Sequence, residues 1–261
     1  MSGRGFVSKQ VVTAVDGVSI SVKKGEALGL VGQSGSGKTT LARAVVKLVK
    51  PQSGSLLFNG KEVFDQKGDA AKAYRRQVQM IFQDPYESLN PRATVESAIE
   101  EPLIIHKLTG SSSSRKERTL NLIRMVGLNP EAVSGKHPHE LSGGERQRTS
   151  IARALAVSPE LLLADEPVSM LDVSIRIGVI DLLKELKRKL DLTVIFITHD
   201  LGVARYFCDR IAVMYKGKLI EVAETEELLR HPQDPYTKQL LEAVPDPAKS
   251  AKEKYSSIQK G

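Results

Sequence analysis

From residue 26 the chain reads EALGLVG, then QSGSGKTT, then LARAVVKLV: an apolar run of strand length, a glycine-rich turn, and a helical pattern. Two glycines flanking four residues and followed by Lys and Thr give this order its meaning, because a phosphate-binding loop needs backbone N–H groups curled around an anion at a helix N-terminus. The stretch therefore commits the chain to an α/β fold. On this reading Gly32, Gln33, Ser34, Gly35, Ser36 and Gly37 form a cradle, Lys38 reaches the β- and γ-phosphates, and Thr39 ligates magnesium. Thr40 is either a further phosphate contact or a plain residue of the first helical turn.

Three more apolar runs have strand length: VQMIFQ (78–83), LLLADE (161–166) and TVIFITH (193–199). Runs without polar interruption belong to strands buried on both faces, so together with EALGLVG they predict a largely parallel sheet. LLLADE ends in two adjacent acids, and ligands of open α/β sheets bind at the carboxyl ends of the strands, where the glycine-rich loop also lies. Asp165 is thus a candidate to hold magnesium, directly or through water, and Glu166 a candidate to polarise an attacking water. The competing reading of this pair is an acidic helix cap. Gln83 and His199 end the other two runs. Singly each is an ordinary turn or cap residue, but jointly they converge on the same sheet edge.

VVTAVDGVSISV (11–22) and SGSLLFNGKEV (53–63) alternate polar with apolar residues around Asp-Gly and Asn-Gly, which predicts an antiparallel portion; IAVMYKGKLIEV (211–222) predicts a hairpin turning at Lys216 and Gly217. Between Gln83 and Asp165 the period changes. ATVESAIEEPLIIHKL (93–108), RKERTLNLIRMVGL (115–128) and ERQRTSIARALAV (145–157) carry apolar residues at helical spacing, with TGSSSS (109–114) read as a loop. SIRIGVIDLLKELKRKL (174–190) predicts an amphipathic helix over the sheet, Glu185 preceding Lys189 by one turn. The expected organisation is one domain over 1–245: an α/β core in 11–85 and 158–225, a helical lobe inserted at 86–157, a C-terminal segment at 226–245, and a polar, disordered tail at 246–261.

A chain of 261 residues with 41% hydrophobic content can bury a core of this size. A net charge of +7 raises nucleic acid or an anionic membrane as partners, but Lys and Arg are spread over the whole length, as on a generally solvated surface. No nucleic-acid partner is expected. Cys208 stands alone, excludes an intrachain disulfide and reads as structural. No run approaches the roughly 20 apolar residues of a membrane span, and MSGRGFVSKQ lacks the apolar core of a signal peptide, so a cytoplasmic place is expected.

A second glycine-rich helix entry, HELSGGERQRTSIARAL (139–155), lacks the lysine of a self-sufficient phosphate loop. Ser142, Gly143 and Gly144 can present N–H groups and a hydroxyl to an anion, although an isolated Ser-Gly-Gly is more often an ordinary helix entry. The order GQSGSGKT, IFQDP, LSGGERQR, LLLADEP, SMLD and ITHD, over nearly the whole chain, resembles the ATP-binding subunits of ABC transporters. That resemblance implies a P-loop NTPase core with an antiparallel β part and an inserted helical lobe, and an ATPase that uses ATP and Mg2+. It also implies a function for the second stretch. Two subunits pack head to tail, the LSGG of one closes over the γ-phosphate on the phosphate loop of the other, and hydrolysis lets the pair go. By the same resemblance Gln83 senses magnesium and the attacking water and links the site to the membrane-spanning partner, His199 contacts the γ-phosphate, and Asp172 in SMLD lies at the dimer interface.

MIFQDPYESLNPR (80–92), HPHELSGGERQR (137–148) and HPQDPYTKQLLEAVPDP (231–247) are similar to the oligopeptide and dipeptide importer branch, in particular to the second of a nonidentical ATPase pair. The tail is the more specific of these, since nucleotide chemistry does not demand it. This implies a companion ATPase, with an identical pair also open, two membrane permeases, an extracytoplasmic solute-binding protein, and a peripheral place on the cytoplasmic face of the membrane. Nickel or oligosaccharide import is the alternative within the branch. A soluble ABC ATPase acting on nucleic acid and an exporter cassette are the competing classes; the first usually carries a second cassette or a long coiled-coil insertion, the second a fused membrane domain. Three residues depart from the pattern. Glu145 stands where glutamine is usual and puts a carboxylate beside an incoming polyanion, Met170 replaces the commoner alanine of SALD, and Phe6, the sole aromatic at the start, belongs either to the position that stacks on adenine or to the connecting loop.

Overall fold

The computed structural model describes residues 13–242. Phe6 and the tail 246–261 lie outside the described residues. Six strands form one sheet in the order β4 (Val78–Ile81), β5 (Leu161–Asp165), β6 (Thr193–Thr198), β1 (Ala27–Val31), β7 (Arg210–Tyr215) and β8 (Lys218–Glu224). All neighbours are parallel except β7 and β8. The four apolar runs are the inner strands β1, β5 and β6 and the edge strand β4.

Alternation distributes each run over two cores. Ala27 and Val31 of β1, Leu162 and Ala164 of β5, Val194 and Phe196 of β6, and Ile211 and Val213 of β7 pack on one face. Leu28 and Leu30, Leu161 and Leu163, Ile197, and Ala212 and Met214 pack on the other. A strand side chain points to opposite faces at successive positions, so a strand covered on both sides has to be apolar throughout. Cys208 belongs to the first core: it is buried, burial pushes its thiol pKa up, and a Cβ on Gly29 would meet its Sγ at 3.0 Å.

The first face carries the helices α4 (Val95–Ile105), α5 (Ser112–Met125), α6 (Pro130–Val133), α7 (Gly143–Leu155) and α8 (Val173–Leu190), with α9 (Leu201–Phe207) and α10 (Thr225–Arg230) nearby. The second carries α1 (Lys38–Val45) and α2 (Gly68–Gln77). The short α3 (Pro85–Ser88) follows β4, and α11 (Pro235–Glu242) ends the described chain. TGSSSS is not wholly a loop. The Ser111 hydroxyl accepts from the Ser114 N–H at 3.2 Å and caps α5, so the last serines form its first turn.

The antiparallel portion is smaller than the alternation predicts. β2 (Leu57–Phe58) and β3 (Lys61–Glu62) form a two-residue ladder turning at Asn59 and Gly60, and residues 13–25 contain no strand. Val18, Ile20 and Val22 still pack against the second core, so the period-two burial is kept, while among the described residues this segment joins no ladder. The hairpin between β7 and β8 turns at Lys216 and Gly217, both with positive φ, as a two-residue turn requires.

Candidate functional site

Strand register brings the carboxyl ends together: Val31 pairs with Thr198, Asp165 with Ile197, and Ile81 with Ala164. The residues that follow, Gly32, Gln83, Glu166 and His199, therefore leave the sheet at one edge. Gly37 has φ 102°, and a Cβ there would stand 2.1 Å from the carbonyl oxygen of Ala14; on Gly32 it would stand 2.2 Å from that of Met214. Only glycine fits either place. Gly37 is also the N-cap of α1 and supplies no side-chain acceptor to the first N–H groups of that helix. Gln33, Ser34 and Gly35 are exposed, Ser36 is buried, and Thr40 lies in the first turn of α1.

Lys38 is only 4% exposed. Its Nζ donates to the carbonyl oxygens of Gly32 at 2.7 Å and Gln33 at 2.8 Å, with the Ser36 hydroxyl at 3.3 Å. Burial lowers its pKa from the ordinary lysine value, and the carboxylates of Glu166 and Asp165 oppose that shift. The Thr39 hydroxyl donates to Asp165 Oδ1 at 3.2 Å. Asp165, 3% exposed, has its pKa raised by burial, against the pull of that hydrogen bond. A hydroxyl beside one buried carboxylate fits an octahedral oxygen-seeking ion that keeps its waters and arrives with a nucleotide. Among the described residues no cluster of three or more His, Cys, Asp or Glu forms a protein-only cage.

Glu166 continues the β5 ladder, its N–H donating to Ile197 O at 3.0 Å, but takes φ 44°. Its carboxylate is held from two sides, by the Gln83 amide at 3.2 Å and by His199 Nδ1 at 3.2 Å. Ser169 was not singled out by the sequence reading. Its hydroxyl donates to Glu166 O at 3.0 Å and lies 3.4 Å from Gln83 Nε2, which fixes the turn that aims Glu166.

Ser142, Gly143 and Gly144 are not joined to this cluster by any side-chain hydrogen bond. Ser142 is exposed and caps α7 in a closed exchange with Glu145, whose carboxylate accepts from the Ser142 N–H and hydroxyl, both at 2.8 Å, while the Glu145 N–H donates back at 3.3 Å. Those bonds hold the Glu145 carboxyl below the usual carboxylate range. The segment after Gln83 touches the same helix: Arg146 donates to the Tyr86 hydroxyl and lies over its ring, and the Ser88 and Ser150 hydroxyls are 3.0 Å apart. Asp172, the exposed N-cap of α8, makes no capping bond with its side chain, and it is flanked by exposed Met170, Val173 and Ile177.

A cavity of about 550 Å3 lies elsewhere, between α5 and the strand starts, lined among others by Arg118, Leu122, Leu155, Glu160 and Leu192. Glu160 and Leu192 immediately precede β5 and β6, so this cavity is at the amino-terminal edge of the sheet and holds none of the residues above.

Comparison with known proteins gives the same direction. The family described as ABC transporter matches residues 15–169, and the one described as oligopeptide/dipeptide transporter, C-terminal region, matches residues 220–260. The oligopeptide transport ATP-binding protein OppF of Bacillus subtilis is 52% identical over 90% of this chain and 77% of its own length. The dipeptide transport ATP-binding protein DppF of Lactococcus lactis is 48% identical over 90% and 75%. Among solved structures, a dimeric post-hydrolysis state of the ATP-binding cassette MJ0796 bound to ADP and Pi superposes with a TM-score of 0.76 at 32% identity, covering 84% of this chain and 94% of that one.

Proposed function

The chain belongs to the ABC transporter family, as one of its ATPases, and on that premise we propose that it is the ATP-hydrolysing subunit of an importer of oligopeptides or dipeptides. One observation carries the chemistry: Lys38, Thr39, Asp165, Glu166, Gln83 and His199 meet at the carboxyl ends of the parallel strands of one sheet. The solute class is supported by the match over 220–260 and by the names of the relatives. Membership in an import system brings membrane permeases as partners. A companion ATPase, an extracytoplasmic binding protein and a place on the cytoplasmic face of the membrane complete the proposal. Among the described residues no helix is long and apolar enough to cross a membrane.

In this reading the N–H groups of residues 34–40 and the Lys38 ammonium hold the phosphates of ATP. Thr39 and Asp165 would hold magnesium, which when bound would supply positive charge against the phosphates. Glu166 takes a proton from the attacking water, Gln83 orients that water, and His199 holds the Glu166 carboxylate and meets the γ-phosphate. Nothing in this needs a covalent intermediate. The rate comes from positioning and from charges fixed before the reaction begins.

Ser142 to Gly144 complete the site of a second cassette. The exposed helix entry, satisfied within its own chain only through Glu145, supports a ligand presented from outside. The test is Ser142→Arg in the importer assembled with its permeases. Hydrolysis stimulated by peptide-loaded binding protein drops roughly tenfold or more, while ATP binding to the isolated chain is unchanged. Loss of binding by the isolated chain would sink the trans assignment.

Glu145 keeps the cap but places a negative charge beside the approaching phosphates. Glu145→Gln retains an acceptor for both Ser142 bonds and removes the charge, so half-maximal hydrolysis shifts to about two- to fivefold lower ATP, the size expected for one exposed charge. An unchanged or higher ATP requirement, read from the rate against ATP concentration, contradicts this.

A further inference from the structure

The phosphate loop is held from outside by two groups that phosphate chemistry does not require. One is the turn between β7 and β8, where the Gly217 N–H donates to Ser36 O at 3.0 Å. The other is Tyr236 in the first turn of α11, whose hydroxyl oxygen accepts from the Gln33 N–H at 3.1 Å across 203 residues of sequence. The carbonyl of the same Gln33 accepts from Lys38 Nζ at 2.8 Å. Residue 33 is therefore gripped on one side by the phosphate-binding lysine and on the other by the C-terminal segment.

Several contacts fix the phenol in place. Glu221 of β8 accepts from the N–H groups of Gln233 at 2.8 Å and Asp234 at 3.1 Å, and Asp234 Oδ1 accepts from the Tyr236 N–H at 2.7 Å. Pro232 and Pro235 restrict the backbone between these caps. The Tyr236 ring lies against that of Tyr215, the last residue of β7, with centroids 4.1 Å apart. A hydroxyl held by ring packing and by a capped turn stays where the loop can use it, because little freedom is lost when the bond forms.

We propose that Tyr236 is a positioning residue for the phosphate loop and that it couples the C-terminal segment 231–242 to the nucleotide. The proposal rests on the nucleotide site described above. Coupling of this kind is reciprocal: if the docked segment favours the loop conformation that binds ATP, bound ATP favours the docked segment by the same factor. A protein that draws the segment away then weakens ATP binding, and ATP resists its removal.

Tyr236→Phe removes the hydroxyl and keeps the ring against Tyr215. Loss of one hydrogen bond predicts MgATP affinity of the full chain about three- to tenfold weaker by calorimetry. In the assembled importer the KM for ATP rises by a similar factor with kcat within about twofold, a split that a merely structural role does not produce. The melting temperature without nucleotide falls by no more than about 4 °C, the size of one hydrogen bond in a chain this long, and the ATP-induced protection of the α11 amides from hydrogen exchange expected in the unsubstituted protein is lost. Unchanged MgATP affinity overturns the proposal, as does weakened affinity accompanied by a melting temperature without nucleotide lower by about 10 °C or more, which is general destabilisation. Lys38→Ala separates the two levels of the account. If it loses MgATP binding while Tyr236→Phe keeps it, only the coupling fails; if it binds as well as the unsubstituted chain, the site reading fails with it.

Discussion

Glu166→Gln binds MgATP as the unsubstituted protein does and hydrolyses it at least about a hundredfold more slowly, the usual contribution of a positioned general base. The substitution is nearly isosteric, so the turn is expected to survive: the Glu166 N–H still donates to Ile197 O and its carbonyl still accepts from Ser169. What changes is proton affinity. An amide offers no basic oxygen to an attacking water, whereas the carboxylate, 3.2 Å from both Gln83 and His199, does. Steady-state hydrolysis and equilibrium binding, measured on the same preparation, check both halves. Turnover within a few-fold of normal would remove Glu166 from the role of base.

Lys38→Ala loses binding itself. Two charge-assisted contacts to phosphate disappear together, and the affinity falls by on the order of a hundredfold or more. A second effect adds to this. The ammonium also ties the carbonyls of Gly32 and Gln33 across the loop, so its removal leaves two backbone acceptors facing the space that the phosphates would occupy. Folding is expected to be little affected, because burial already disfavours the charged lysine. Nucleotide titration alongside a melting curve distinguishes the outcomes. Binding within a few-fold of normal would place the phosphates elsewhere.

The grouping of these residues was legible because each element carries its part locally. A strand, a glycine turn and a Lys-Thr at a helix entry are contiguous, and Asp165 and Glu166 end a run whose apolar residues dictate burial on both faces. Gln83 and His199 were weaker signals until parallel register set their strands to end at one edge, where both reach Glu166. The fold was overstated where alternation alone was the signal: Val18, Ile20 and Val22 bury as a strand would, but a ladder needs a neighbour, which their own sequence does not specify. The serine run misled in the other direction, since serine serves a loop and a helix cap equally. Tyr236 was out of reach altogether. Its partner is a backbone N–H, which has no residue identity to read, on a segment brought near by the β7–β8 hairpin.

The proposed role of Ser142 is what would tie the architecture to transport. Its cap is closed within the chain, its surface is open, and the neighbouring Asp172, Met170, Val173 and Ile177 present an exposed, partly apolar strip with no partner among the described residues. In the proposed pairing, a second cassette covering this strip and using Ser142 on its own nucleotide would make association depend on ATP and dissociation on hydrolysis.

The mass in solution of Glu166→Gln, by light scattering with and without ATP and magnesium, tests this most directly, because the substitution stops the cycle with ATP in place. The account predicts a monomer that doubles its mass only with MgATP, alone or mixed one-to-one with the companion cassette, and that fails to do so when Ser142→Arg is added. Mass unchanged in both mixtures, with MgATP demonstrably bound, would contradict it.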